Sequence, residues 1–78
     1  MTNLYRLQRI FRDVLDDPTL VLTPEMSTRT LPGWDSVATV QIALATEAEF
    51  KVRFTTDELA TLRSVADLLR LLDVHGGA

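Results

Sequence analysis

Apolar positions follow helical spacing in three parts of the chain. The first pattern predicts an amphipathic helix over about residues 3–15, with an apolar stripe formed by Leu4, Leu7, Phe11 and Val14. The stretches SVATVQIALATEAEF and SVADLLRLLDV predict two more helices, over about residues 36–50 and 64–74. Between them, TTDELATL has acidic residues in its first turn and predicts a short helix over about residues 56–61, with Thr56 as its N-cap.

The polar stretch 16–34 separates the first two long helices, and two prolines interrupt it. Residues before a proline are biased away from helix, and the strand-like run TLVLT has no second strand to pair with. We therefore predict a loop that is pinned to the helices by Leu20, Val21, Leu22 and Met26. Together these elements predict an all-α fold: a small helical bundle of three main helices and one short helix, with a long first loop. We expect one domain over residues 1–78, with residues 75–78 as a frayed tail.

The long loop ends in the sequence LPGWDSV. Proline followed by glycine suits the central positions of a type II turn, whose second central residue needs a positive φ. Asp35 follows the turn and is a good N-cap, because its carboxylate can accept a hydrogen bond from an early helical N–H. The second helix is therefore predicted to begin at Ser36.

The second helix has two apolar faces instead of one. At about 100° per residue, one face carries Val37, Val40, Leu44 and Ala48. A roughly opposite face carries Ile42, Ala43 and Phe50, with Thr39 and Thr46. One apolar face is enough for packing in a small bundle, so the second face either meets a partner or makes additional core contacts. On the first helix, the stripe of Arg6, Arg9 and Arg12 is expected to be a solvated face, with a partner contact as the alternative.

Composition and charge exclude several classes of protein. The chain has no cysteine, which rules out disulfides, thiol catalysis and cysteine-based zinc sites. Eight basic against eleven acidic residues give a net charge of −3, which argues against nucleic-acid binding. No apolar run is as long as a membrane span, and the N-terminus lacks the apolar core of a secretory signal. We therefore expect a cytoplasmic protein with no membrane partner.

The residues that enzymes use are also missing or badly placed. The single histidine, His75, lies in the predicted tail, so a Ser–His–acid triad is implausible. The sequence GWDSV lacks the glycine pattern of a nucleophile elbow, and no phosphate-binding glycine loop occurs. The carboxylates have the sequence contexts of helix caps and surface positions. We predict neither catalytic residues nor a metal site.

Ser36 is the remaining candidate functional residue. A serine at a helix start is common for structural reasons alone. The position nevertheless suits a phosphoester, because a helix N-terminus offers unpaired N–H groups and a partial positive charge.

The stretch GWDSVATVQIALATEAEF resembles the segment of acyl carrier proteins that holds the phosphopantetheine serine. The family motif is Asp-Ser-Leu at the start of the second helix, and this chain has Asp35, Ser36 and Val37 there. The resemblance continues into FKVRFTTDELATLRSVADLLRLL and covers roughly residues 3–73, with four helices and a long first loop in the family's order. It implies that a phosphopantetheinyl transferase attaches 4′-phosphopantetheine from coenzyme A to Ser36, and that Asp35 is part of the motif.

This resemblance also implies a role and a set of partners. The thiol of the arm would hold an acyl or aminoacyl group as a thioester, which a loading enzyme supplies and a downstream synthase or transferase uses. We expect a discrete, monomeric carrier with a partner interface formed by Trp34, Val37, Val40, Gln41, Leu44 and Glu47. For Trp34, the alternative is a hydrophobic lid over the loop.

The charge of the second helix indicates which kind of carrier this is. Carriers of fatty-acid synthesis usually have a strongly acidic second helix, whereas this one has only Glu47 and Glu49 as its acids. A specialised pathway that makes a polyketide, a peptide or a modified lipid is therefore expected. Two alternatives remain: a carrier-like scaffold that is never modified, and an unrelated helical adaptor.

Overall fold

The computed structural model describes residues 3–76, which contain four helices in the order that the hydrophobic pattern predicts. They are α1 (Asn3–Val14), α2 (Ser36–Phe50), α3 (Thr56–Ala60) and α4 (Val65–Val74). No predicted helix end differs from the observed one by more than one residue. The described residues form no strand beyond an isolated antiparallel bridge between Ser27 and Ser64, so the all-α prediction is confirmed. None of the helices within residues 3–76 has the length and apolar character needed to cross a membrane.

The hydrophobic core lies between α1, α2 and α4. Its fully buried apolar side chains come from all three helices: Leu7, Phe11, Ile42, Val65, Leu68 and Leu72. Thr46 is also fully buried on α2, and its hydroxyl donates a 2.7 Å hydrogen bond to the carbonyl of Ile42 one turn earlier. A buried hydroxyl without a partner would be costly, so this bond lets α2 place a threonine in the core.

The loop 16–34 packs on the helices through only some of its predicted anchors. Leu20 and Leu22 are buried and Met26 is partly buried, as expected. The prediction that Val21 is an anchor is wrong, since 64% of it is exposed. Successive side chains of an extended segment point to opposite sides, so Val21 faces outward when Leu20 and Leu22 face the core.

Backbone hydrogen bonds fix the later part of this loop to the start of α4. The carbonyl of Met26 accepts from Val65 N–H at 2.9 Å, and Thr28 N–H donates to the carbonyl of Arg63 at 2.9 Å. The loop thus satisfies part of its backbone through a neighbouring segment instead of a sheet.

The sequence predicts the N-cap correctly for α4 but not for α3. Ser64 caps α4 as expected, with its hydroxyl accepting from Asp67 N–H. For α3 the prediction of Thr56 is wrong, since Thr55 is the N-cap. Thr55 and Glu58 form a capping box, in which each side chain accepts from the other residue's backbone N–H.

The prediction of a frayed tail is wrong for His75. Its backbone N–H closes the end of α4, and its Nε2 lies 2.9 Å from a carboxylate oxygen of Glu58. Its ring also packs edge-on against Phe54, with 5.6 Å between ring centroids. His75 therefore links the ends of α3 and α4; residues 77–78 of the predicted tail lie outside the described residues.

The arginine stripe on α1 is likewise less solvated than expected. Arg6 forms an ion pair with Glu49 at 3.0 Å and lies over the ring of Phe50, 4.1 Å from its centroid. Arg12 donates from Nε to the carbonyl of Leu20 at 2.7 Å. Only Arg9 is an exposed member of the stripe, because α2 and the long loop approach α1 on either side.

Candidate functional site

The chain enters the site through the turn Leu31–Trp34. Trp34 N–H donates to the carbonyl of Leu31 at 3.2 Å, and Gly33 has φ +87°. A positive φ at the second central residue, after a proline, defines a type II turn and confirms that prediction. The turn reverses the chain just before α2 and brings Asp35 to the helix start.

Trp34 anchors this turn to the core. Only 3% of it is exposed, and its ring packs edge-on against Phe11 with 5.0 Å between centroids. Its Nε1–H donates to the hydroxyl of Thr39 at 2.8 Å, and that hydroxyl donates to the carbonyl of Asp35 at 2.9 Å. The prediction that Trp34 belongs to a partner interface is therefore corrected: a large ring that fills the core presents almost no surface to a partner. Thr39 is a positioning residue that the sequence analysis placed only on the core side of α2.

Asp35 is the N-cap of α2, as predicted. Its backbone is extended, with φ −111° and ψ −169°, and its Oδ1 accepts from Ala38 N–H at 2.9 Å. Its own carbonyl accepts from Thr39 N–H at 2.9 Å, which is the first backbone bond of the helix. The cap fixes the direction of the first turn.

Ser36 begins the helix with an exposed side chain. Because Asp35 supplies the cap, the Ser36 hydroxyl is not needed for it and has no hydrogen-bond partner within residues 3–76. The N–H groups of Ser36 and Val37 precede the capped Ala38 N–H and also lack an acceptor among the described residues. The site thus combines a free hydroxyl with two free backbone donors, which suits a phosphoester.

A groove of about 570 Å³ opens beside Ser36, between the start of α2 and α3. Its apolar walls come from Trp34, Val40, Leu59, Ala60 and Leu62. Hydroxyl side chains line it as well, from Thr28, Thr39 and Thr56, and Arg63 is its one basic lining residue. An apolar cleft edged by hydroxyl groups fits an arm such as phosphopantetheine, which alternates short alkyl segments with amides.

Most of the predicted interface residues lie exposed on one side of α2. The exposed fractions are 64% for Val37, 51% for Val40 and 61% for Leu44, and Gln41 is exposed beside them. The opposite side carries the buried Ala38, Ile42, Ala43, Thr46 and Phe50. Of the two possibilities for the second apolar face, additional core contact is therefore wrong.

Glu47 has a structural contact that its predicted interface role did not include. It is partly buried, and its Oε2 accepts from the backbone N–H of Phe54 at 2.7 Å. This bond ties the end of α2 to the segment that leads into α3. The contact joins α2 to a segment outside the helices, so no periodic pattern in the sequence predicts it.

Comparisons with known proteins show which family the chain belongs to. A family model described as a phosphopantetheine attachment site matches residues 6–72. Acyl carrier protein 3 of Ralstonia nicotianae is 33% identical over 72 residues, which cover 92% of this chain and 83% of that protein. The chain belongs to the acyl carrier protein family.

Two solved structures resemble the chain closely. The solution structure of a holo acyl carrier protein from Geobacter metallireducens has a TM-score of 0.84 and 37% identity, covering 96% of this chain and 86% of that one. The crystal structure of an acyl carrier protein from Thermotoga maritima has a TM-score of 0.79 over 91% of this chain and 82% of that one. Its identity is 21%, so it supports the fold alone.

Family membership settles the class of the protein and its cofactor. The chain is a carrier and not an enzyme, and its prosthetic group is covalently attached 4′-phosphopantetheine. The family also implies interaction with a phosphopantetheinyl transferase and with enzymes that handle acyl groups.

Proposed function

We propose that Ser36 carries the 4′-phosphopantetheine group and that the chain holds an acyl or aminoacyl group as a thioester on it. The observation that carries this proposal is the free, exposed Ser36 hydroxyl at the capped start of α2, beside the groove and inside the matched segment 6–72. When bound, the arm supplies the thiol that the cysteine-free chain lacks.

Each neighbour of Ser36 has a part in presenting its hydroxyl. Asp35 directs the first turn of α2 through its cap, and Trp34 holds the preceding turn against the core. The free N–H groups of Ser36 and Val37, at the positive end of the helix, favour the negative charge of a phosphodiester. The backbone of Ser36 is therefore already fixed, and the transferase only needs to reach its exposed hydroxyl.

The proposed pathway is a specialised one that makes a polyketide, a peptide or a modified lipid. This proposal is supported by the exposed side of α2, whose central residues are apolar or uncharged: Val37, Val40, Gln41, Leu44 and Ala48. We propose that this side receives the transferase, the acyl- or aminoacyl-loading enzyme and the downstream synthase or transferase. We also propose that the carrier is monomeric, which light scattering tests.

The attachment site is tested by intact-protein mass after incubation with coenzyme A and a broad-specificity transferase. The unaltered chain is expected to gain one phosphopantetheine, Ser36→Ala none, and Ser27→Ala one. Ser27 is the matched control, because it is a loop serine in the same chain. If Ser36→Ala still gains the group, the site assignment is wrong. If the unaltered chain gains none while a control carrier is modified, the unmodified scaffold replaces this proposal.

A further inference from the structure

The solvent side of α2 carries an uncharged surface that we call the α2 face, formed by Val37, Val40, Gln41, Leu44 and Ala48. Three of these residues are large apolar side chains that are more than half exposed. The exposed side of a surface helix is normally charged or polar. An apolar stripe in that place indicates a surface that another molecule covers.

Both acidic residues of α2 are bound within the fold. Glu47 accepts from Phe54 N–H at 2.7 Å through Oε2. Glu49 accepts from Arg6 at 3.1 Å and 3.0 Å, and Arg6 also lies over the ring of Phe50. Both carboxylates are therefore held in place by groups of this chain, and Arg6 compensates the charge of Glu49.

The charges at the end of the α2 face are positive on balance, because two basic residues lie beside the single carboxylate of Glu47. A second groove, of about 610 Å³, is lined by Leu44, Glu47, Ala48, Lys51, Val52 and Arg53. Both basic residues are exposed, and neither side chain has a hydrogen bond or ion pair within residues 3–76. The α2 face thus runs from the Asp35 carboxylate, which caps the helix, to an end where positive charge is in excess.

We propose that the α2 face binds an apolar patch on a partner protein, and that acidic side chains on that partner lie opposite Lys51 and Arg53. The proposal rests on the proposed function, since it specifies the chemistry of the partner proteins that bind this carrier. Like charges that face each other across an interface repel. A partner with basic side chains opposite Lys51 and Arg53 would therefore bind less well than one with acidic side chains there. This preference depends on the local charge at the end of the α2 face. The net charge of the whole chain, −3, would by itself favour a basic partner.

Two synthetic helical peptides distinguish this local sign from the overall charge. Both share one leucine face; glutamates flank that face in one peptide and lysines flank it in the other. Each is titrated into the full ¹⁵N-labelled chain, before and after treatment with transferase and coenzyme A. The glutamate peptide is expected to shift the amide signals of Val40, Leu44, Lys51 and Arg53 and to bind this face more tightly than the lysine peptide.

Charge reversal tests the two basic residues directly. In the double variant Lys51→Glu, Arg53→Glu, binding of the glutamate peptide is expected to weaken about three- to tenfold, the effect of losing two exposed charge pairs. The control double variant Arg9→Glu, Arg29→Glu has the same change in net charge at exposed positions outside both grooves. Its binding is expected to change less than twofold at 0.15 M salt, where distant charges are screened. Leu44→Asp is expected to abolish binding.

Three results would overturn the proposal. The first is a lysine peptide that binds the α2 face as tightly as the glutamate peptide, and the second is the absence of binding by either peptide. The third is an equal loss in the two double variants, both shown to be folded by circular dichroism. None of these results depends on whether Ser36 is modified, because the titration also uses the unmodified chain. A failed modification test would instead leave the charge preference intact and remove the proposed function.

Discussion

Replacing Glu47 with alanine tests whether this carboxylate is part of the fold. Phe54 N–H donates to it at 2.7 Å and is partly buried. Hydrogen bonds to charged groups contribute about 1.5–3 kcal/mol, and the partial exposure of Glu47 places the expected loss near the lower end, about 1.5–2 kcal/mol. For a domain of this size 1 kcal/mol shifts Tm by about 4–8 °C, so we expect Tm to fall by about 6–16 °C.

Thermal and urea unfolding, followed by circular dichroism, measure this loss in Glu47→Ala, Glu47→Gln and Glu49→Ala. The glutamine variant keeps an acceptor oxygen without the charge, so we expect roughly half of the alanine effect. Glu49→Ala is the control, because it removes an exposed ion pair with Arg6, which is typically worth less than about 1 kcal/mol. If Glu47→Ala is as stable as Glu49→Ala, the reasoning is refuted and the carboxylate acts at the surface.

Four further results are expected from unfolding measurements. Asp35→Ala should cost about 1 kcal/mol, because the cap on Ala38 N–H is lost. Gly33→Ala should cost about 1–2 kcal/mol, because a residue with a Cβ is strained at φ +87°. The new Cβ would meet no serious clash, so this cost comes from the backbone alone. Leu44→Asp should change stability by less than about 0.5 kcal/mol, because Leu44 is 61% exposed; a large loss would place it in the core. The hydrogen bond from the backbone of Thr55 and the contact with His75 lower the pKa of Glu58. Its contribution is therefore present above the usual pKa and is lost as pH falls through the lower folded pKa, so Glu58→Gln should show a flatter fall in Tm below about pH 4.5.

The candidate site was predictable because its determinants lie close together in the sequence. The Pro-Gly turn, the Asp35 cap and the start of α2 all depend on residues within about one helical turn of each other. The two apolar sides of α2 follow from helical periodicity alone. Periodicity could not decide which side is buried, because both sides are about equally apolar; the packing of α1 against α2 decided that.

The sequence by itself determined the helices, the type II turn, the cap at Asp35 and the exposed hydroxyl at Ser36. Each of these is a local consequence of φ, ψ and hydrogen bonds over a few residues. Only the tertiary structure decided the partners that are distant in the chain. Arg6 contacts Glu49, 43 positions away in the chain, and His75 contacts Glu58, 17 positions away. These side chains are therefore less free than their local sequence indicates. Trp34 became a core residue for the same reason, since Phe11 on α1 provides the surface against which its ring is buried. Such pairings depend on how the helices pack on one another, and side-chain spacing along a single helix carries no information about that.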